Sequence, residues 1–515
     1  MTVAPAEPLK GPGDIETLAQ GGRTNFFGFL LRLAARLPFL FIAGRWYGAE
    51  ALGRFAYATI IVEFAAQIAT VGLKRGLAQQ LSTTSRPHPH VVWDGLLVGF
   101  LTSILVAGLL IAVPELMFPN SIINGYDRLL PLTIFGWVAS DIALAALAYR
   151  GDIGAMVRAR SLVEPWTISI AAFVLAWYST RDGLILAYVL STIAAFVASL
   201  WPLFRSYGWP RGWRPAPVRL YRIATRNLPL AGADAIEWGS RRLDIAMLGL
   251  FFSAPIVGIY YVAQQVASLP QKLKTSFDPI LGPVITQNLA AGDKTAVARQ
   301  VRQVGFWIIA AQLGIALALA IPGKAVMGLV GPGFVGGTGA LAILLAAEAI
   351  AATAVVSEAA LIYVAPKRNL AISVAMIALQ AGLSVVLVEL ARRALPAIER
   401  AGWVGERMAF RDDPVAAAGP AIALMAALGL ASVAKALLLK KLLGGRISGW
   451  RWSLVWAALV ASAVGWAVTR LPHSLEWVEL AFGVPLILGV YGAVVWFRGF
   501  TTDDRALFRS KSVAA

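Results

Sequence analysis

Apolar runs of about twenty residues recur along almost the whole chain, and a helix of that length is what crosses a bilayer. About fourteen such runs can be drawn: 25–46, 50–72, 93–113, 129–149, 157–178, 184–204, 228–252, 256–277, 303–322, 338–362, 370–391, 417–440, 452–470 and 477–497. Within hydrocarbon every backbone N–H and C=O must be satisfied by the protein itself, which leaves helices or closed barrels. Runs this long and continuous select helices. Composition agrees: 58% of the 515 residues are hydrophobic and 14% are charged, against roughly 25% charged in soluble domains. The expected class is an all-α polytopic membrane protein.

Basic residues orient the runs. They concentrate after the second run (Lys74, Arg75, Arg86), the fourth (Arg150, Arg158, Arg160) and the sixth (Arg205, Arg211, Arg214, Arg219, Arg222, Arg226). The pattern continues after the eighth (Lys272, Lys274), the tenth (Lys367, Arg368) and the twelfth (Lys440, Lys441). Lys and Arg accumulate in cytoplasmic loops, so both termini are expected in the cytoplasm. Residues 1–23 are polar, lack an apolar core, and read as a short cytoplasmic tail rather than a signal peptide. One stretch dissents: 392–416 carries Arg392, Arg393, Arg400, Arg407 and Arg411 on the expected outer side. It reads as an interfacial amphipathic segment or as the mark of one miscounted helix.

Several functions are thereby disfavoured. The net charge of +17 follows from the loop bias and does not call for nucleic acid. There is no cysteine, and the three histidines (His88, His90, His473) lie outside the apolar runs, so no metal centre is expected. No P-loop signature occurs, which argues against direct ATP hydrolysis. The longest loops reach only about 25 residues, well short of the ~50 a folded domain usually needs. No catalytic constellation stands out, and neither an enzymatic role nor a cofactor is expected. The seventeen tryptophans, among them Trp46, Trp93, Trp177, Trp201, Trp450 and Trp477, fall mainly near expected interfaces, as an aromatic belt requires.

A shift of 205–208 residues brings the chain into register with itself. Arg36 then falls on Arg241, Gly44 on Gly249, Gly53 on Gly258, Ala58 on Ala263, Gly99 on Gly305, Pro114 on Pro322 and Asp141 on Glu348. Constant order and offset point to a six-plus-six duplication. Six is even, so the halves are parallel repeats about an axis along the membrane normal, an arrangement found in transporters. The expected division is a tail (1–23), an N-lobe (24–226), a C-lobe (227–446) and two added helices with a cytoplasmic tail (447–515).

Charges inside the runs are costly and therefore informative. Arg32 and Arg36 sit in the first run, Arg54 and Glu63 in the second, Asp141 in the fourth, Glu164 in the fifth and Glu348 in the tenth. The seventh run is the most polar, with Asp234, Glu237, Arg241, Arg242 and Asp244. Glu237 and Arg241 are spaced to pair, as are Arg241 and Asp244. Guanidinium stays charged when desolvated and binds phosphate bidentately, so Arg32, Arg36, Arg54 and Arg241 are candidates for a cationic cavity that holds a phosphate-bearing substrate. Asp141, Glu348, Glu63 and Glu164 are candidates for H+ or Na+ coupling, or for counter-ions to the arginines. Glu358 and Glu389 lie near run ends and are expected in water.

The stretch FIAGRWYGAEALGRFAYA (41–58) with GLKRGL (72–77) resembles the first helix pair of bacterial Wzx-type polysaccharide flippases. These share a superfamily with the lipid II flippase and the MATE exporters. RRLDIAMLGLFFSAPIVGIYYVAQQVASLP (241–270), SFDPILGPVITQNLAAGD (276–293) and GLVGPGFVGGTGALAILL (328–345) resemble the second lobe of the same family. The resemblance implies a MATE-like fold of two six-helix lobes with a central cavity and alternating access. It also implies an undecaprenyl-diphosphate-linked oligosaccharide as substrate, flipped from the cytoplasmic to the periplasmic leaflet of the inner membrane for surface polysaccharide biosynthesis. Arg36 and Arg241 match the family's diphosphate-binding basic positions, with Arg32 and Arg54 in support. Membrane lipid, a polysaccharide polymerase and chain-length proteins are the implied partners. The alternatives are an ion-coupled MATE-type small-molecule exporter and a membrane glycan polymerase or ligase.

Overall fold

The apolar runs are helices. The computed structural model describes residues 37–119, 121–271, 285, 288–289, 292–400, 416–445, 447–470, 476–501 and 504–505, and every regular element among them is helical. Arg32, Arg36, the tail 1–23 and most of the dissenting stretch 392–416 lie outside the described residues. Nine helices among the described residues are long and apolar enough to cross a membrane, and Trp452–Val468 is a shorter apolar helix. The first of the nine, Leu37–Thr83, carries the described part of the first apolar run and the whole of the second on one helical stretch. The fifth and seventh runs are also helical but interrupted, and the described part of the eighth is helical.

Two compact units emerge from the contacts. One falls within Arg32–Tyr261 and Arg392–Ala417, the other within Val262–Ala391 and Ala418–Ala515. The first contains α1 (37–47), α2 (Gly48–Ala69), α3 (Leu73–Thr83), α4 (His88–Ala112), α5 (Thr133–Tyr149), α6 (Glu164–Leu175), α7 (Gly183–Tyr207), α8 (Pro217–Ser240), α9 (Leu243–Phe251) and the start of α10 (Ala254–Gln271). Helix α5 is its hub and packs against α2, α3, α4 and α7. Leu52, Ile60, Leu73, Leu77, Leu130, Ile134 and Ile142 are fully or almost fully buried around it.

The second unit is built on α11 (Lys294–Ala320), which touches α12 (Gly323–Val330), α13 (Thr338–Ala352), α14 (Val355–Val364), α16 (Gly419–Leu443), α17 (Trp452–Val468) and α18 (Val484–Val494). Helix α15 (Pro366–Arg400) completes the helix set. Phe306, Val304, Leu439, Leu454 and Ile487 form part of one continuous core.

Two runs expected to be single helices are broken. The run 228–252 ends as α8 at Ser240, turns at Arg241–Arg242, and restarts as α9. The Gly239–Ser240 pair is a common cause of such a kink, and the break lets the two adjacent arginines diverge. The run 338–362 divides into α13 and α14 at Thr353–Ala354. There the Thr353 hydroxyl donates to Ile350 O at 2.7 Å and competes with the helix ladder.

Glycine decides two close approaches. Gly72 joins α2 to α3 at φ +65°, and a Cβ there would stand 2.7 Å from Asn227 O on α8. A Cβ on Gly76 would overlap the Asn227 side chain. The GLKRGL motif thus provides the seat for α8. The second approach is the crossing of α2 with α10, backbone to backbone. A Cβ on Gly53 would overlap Ala254 O, and one on Gly258 would overlap Ala49 O. Each helix presents a small residue four positions before its glycine, the pattern that lets membrane helices touch. The contact is reciprocal, and its two glycines are the pair matched by the 205-residue shift.

Candidate substrate-binding belt of paired charges

Helix α3 begins the polar centre of the first unit. Its Lys74 and Arg75 were expected in a loop; they are held on a helix that packs on α5 and α8. Arg75 Nε meets Asp234 Oδ1 at 2.7 Å, and its Nη2 meets Glu237 Oε2 at 2.5 Å. Arg241 reaches the other oxygen of Glu237 at 3.5 Å, as the four-residue spacing predicted. Lys74 Nζ stands 4.0 Å from Asp141 Oδ2 on α5.

Asp141 also receives Arg160, whose Nη2 lies 2.5 Å from Oδ1, while Nη1 of the same guanidinium binds Glu164 at 2.9 Å. The Arg160 plane sits 3.8 Å from the Trp137 ring centroid, an arrangement worth more when desolvated. Trp137 Nε1–H donates to Tyr188 OH at 2.8 Å, and Tyr188 donates to Glu63 Oε1 at 3.3 Å. Arg242 approaches Glu63 at 3.9 Å. The network therefore runs from α2 through α5, the π-helical turn before α6, α7 and the break after α8. Among these groups Lys74, Arg75, Arg160, Arg241 and Arg242 are balanced by Glu63, Asp141, Glu164, Asp234 and Glu237. Asp244 stands apart, fully enclosed, and accepts the Tyr260 hydroxyl at 2.9 Å.

Arg54 lies elsewhere in the unit and is sealed. Its Nη2 binds both oxygens of Asp127 at 3.1 and 3.0 Å, with side chains 4% and 0% exposed. Nε and Nη1 have no hydrogen-bond partner among the described residues. Arg54 also lines a small cavity with Tyr57, Phe118, Gly249 and Phe252. Asp127 is further held by the Asn124 backbone N–H at 2.8 Å, and Asn124 Nδ2 donates to Asp182 at 2.8 Å. Arg54 thus staples α2 to the turns that precede α5 and α7.

Of the residues singled out from sequence, Asp141 and Glu164 come together through Arg160. Glu63 joins Arg242, and Glu237 joins Arg241. Glu348 is half-buried on α13 in the second unit. Arg160 and Arg75 read as loop charges in the sequence, and Asp127 and Tyr188 gave no signal there. The four-residue step from Arg160 to Glu164 was the one local clue. The second unit also holds a charge that sequence reading passed over. Lys435, 5% exposed on α16, pairs at 3.0 Å with Glu358, which was expected in water.

Comparisons with known proteins give the family and the fold. The sequence profile of the polysaccharide biosynthesis protein family matches residues 43–324, more than half of the chain. The chain belongs to that family. No curated protein sequence is significantly similar to it. Among solved structures it is similar to the lipid II flippase MurJ in an inward closed conformation, with TM-score 0.66 and 9% identity over 92% of this chain and 98% of that one. It is also similar to an inward-facing multidrug resistance MATE transporter of the MOP superfamily, with TM-score 0.63 and 13% identity over 81% and 98%. A MOP superfamily transporter from Pyrococcus furiosus gives TM-score 0.55 and 12% identity over 85% and 99%. The chain is thus a multi-pass membrane protein with the MATE-like fold that these transporters share.

Proposed function

We propose that the protein is a flippase that carries polyprenyl-diphosphate-linked oligosaccharide from the cytoplasmic to the periplasmic leaflet of a bacterial inner membrane. The observation that supports this most is family membership over residues 43–324 combined with a transporter fold. In this reading the lobes 24–226 and 227–446 alternate access to a cavity between them, and residues 447–515 add two helices. The diphosphate docks on Arg36 and Arg241, with Arg32 and Arg54 as supporting candidates. Arg241 suits the task because its side chain is half-exposed. Arg54 could contribute only by exchanging Asp127 for substrate. Asp141, Glu63, Glu164 and Glu348 are the groups available for H+ or Na+ coupling, and in the first three a proton or sodium ion would compete with the bound Arg160 or Arg242. A polymerase and chain-length proteins would take the product onward.

Complementation of a flippase-null strain tests the reading. Wild type should restore surface polysaccharide, and Arg36→Ala and Arg241→Ala should each lower it severalfold at equal membrane abundance. Full rescue by both variants would remove the diphosphate site, and failure of wild type in every flippase-null background would remove the function.

A further inference from the structure

Outside the charged belt, the first unit carries a groove of about 520 Å³ between α2, α4 and α8. Its lining includes Ile68, Thr102, Leu105, Tyr221, Leu228 and Gly232. The α8 residues that face it follow helical spacing from Tyr221 to Ala235, a run of about 21 Å at 1.5 Å per residue. Its threonine hydroxyls are satisfied internally: Thr102 donates to Ala69 O at 2.5 Å, and Thr225 to Tyr221 O at 3.0 Å, and its other hydroxyl is that of the exposed Tyr221 at the cytoplasmic end. The groove therefore offers hydrocarbon contact and almost no hydrogen bonding, which suits an alkyl or isoprenoid chain and not a sugar. Leu105, Tyr221, Leu228 and Ile68 remain exposed in it.

The ends of α8 supply the second half of the case. Arg222 is exposed one residue beyond Tyr221 and makes no ion pair among the described residues. It stands at the end of the groove that the positive-inside pattern assigns to the cytoplasm. On the same helix Asp234 and Glu237 bind Arg75, and Asp234 lies about 200° round the axis from Gly232. One face of α8 thus belongs to the charged belt and the other to the groove, with the exposed Arg222 guanidinium between them at the cytoplasmic end. A lipid with a single anionic head and a long chain matches both surfaces at once.

We propose that the α2–α4–α8 groove holds the polyprenyl chain of the lipid-linked substrate while its diphosphate engages Arg222 at the cytoplasmic end, an entry position taken before the diphosphate passes to Arg36 and Arg241. This rests on the flippase reading above. Each buried methylene adds to the affinity of such a chain, so a blocked groove should weaken long-chain binding without touching the head.

The test compares equilibrium binding of undecaprenyl diphosphate and farnesyl diphosphate to the full-length protein in phosphatidylcholine nanodiscs. Wild type should prefer the long chain by about tenfold or more. Gly232→Leu places a side chain where a Cβ meets nothing within 4 Å, and it replaces glycine by a better helix former, so folding should be retained. That variant and Ala224→Trp should bind both lipids alike, at the wild-type farnesyl affinity. A photo-crosslinking residue at Leu228 should capture undecaprenyl diphosphate in the presence of excess phosphatidylglycerol. Retention of the long-chain preference in Gly232→Leu, or capture of phosphatidylglycerol instead, would overturn the groove assignment alone. Failure of wild type to bind either diphosphate would overturn the flippase reading together with it.

Discussion

Replacing Asp127 by alanine probes the best-defined electrostatic contact in the first unit. The Arg54–Asp127 pair is almost wholly enclosed, with side chains 4% and 0% exposed. Alanine would leave Arg54 with a 3.4 Å contact to Ile122 O and the Phe118 ring 5.3 Å from its guanidinium carbon, while Nε and Nη1 already lack hydrogen-bond partners among the described residues. Removing one member of a buried pair leaves an uncompensated charge and costs about 3–5 kcal/mol. The reverse change, Arg54→Met, should cost less. Asp127 would keep the Asn124 backbone N–H, and methionine adapts to irregular space. The double variant Arg54→Met/Asp127→Ala should then be more stable than Asp127→Ala alone, since neither charge remains. Unfolding in detergent, followed by denaturant titration of the four forms as a double-mutant cycle, measures this coupling. A loss below about 1 kcal/mol for Asp127→Ala, or strict additivity in the cycle, would refute the argument that this pair is buried and interdependent.

Three further outcomes follow from contacts described above. Arg160→Ala should destabilise the protein more than Asp141→Asn or Glu164→Gln, because one guanidinium holds both carboxylates; equal midpoints for all three in thermal unfolding would contradict this. Gly53→Leu and Gly258→Leu should each abolish well-folded protein in size-exclusion profiles, since even a Cβ overlaps a carbonyl of the facing helix; a monodisperse, active Gly53→Leu would rule out the crossing. Asp504→Ala should cost about 3 kcal/mol, because it removes the acceptor for Trp307 Nε1, Gln303, Arg451 and the Thr501 N–H. Unchanged unfolding of that variant would show that Asp504 does not anchor the end of the chain.

How far the structure could be read from sequence depended on the range of each interaction. Helix positions were legible because an apolar run of bilayer length is a local property. The Glu237–Arg241 pair was legible for the same reason, since it lies four residues apart on one helix. Helix breaks were harder: Gly239 and Ser240 were visible, but a Gly/Ser pair kinks some helices and not others, and the sequence alone did not place the turn at Arg241–Arg242. The pairing of charges was mostly illegible. Arg75 reaches Asp234 and Arg54 reaches Asp127 across separations that no periodicity encodes. Arg160 shows the hazard of a loop-charge count, because it serves the positive-inside pattern yet folds inward between Asp141 and Glu164. Lys435 was missed for a related reason, as one cation in an otherwise apolar run resembles the start of a cytoplasmic cluster. The balance of charge in the belt could be found only once its partners were placed.

The crossing of Gly53 with Gly258 has a consequence for how such a chain can change over time. Main-chain atoms carry no sequence, so a contact built from them keeps its form while surrounding side chains drift. After a duplication the two copies are free to diverge in what they recognise, provided these glycines persist. Loss of either glycine has no remedy in a second substitution, because the obstructing group is a peptide carbonyl that every residue possesses. Mutational tolerance across the chain should therefore fall to near zero at two positions 205 residues apart, even where neither touches a substrate.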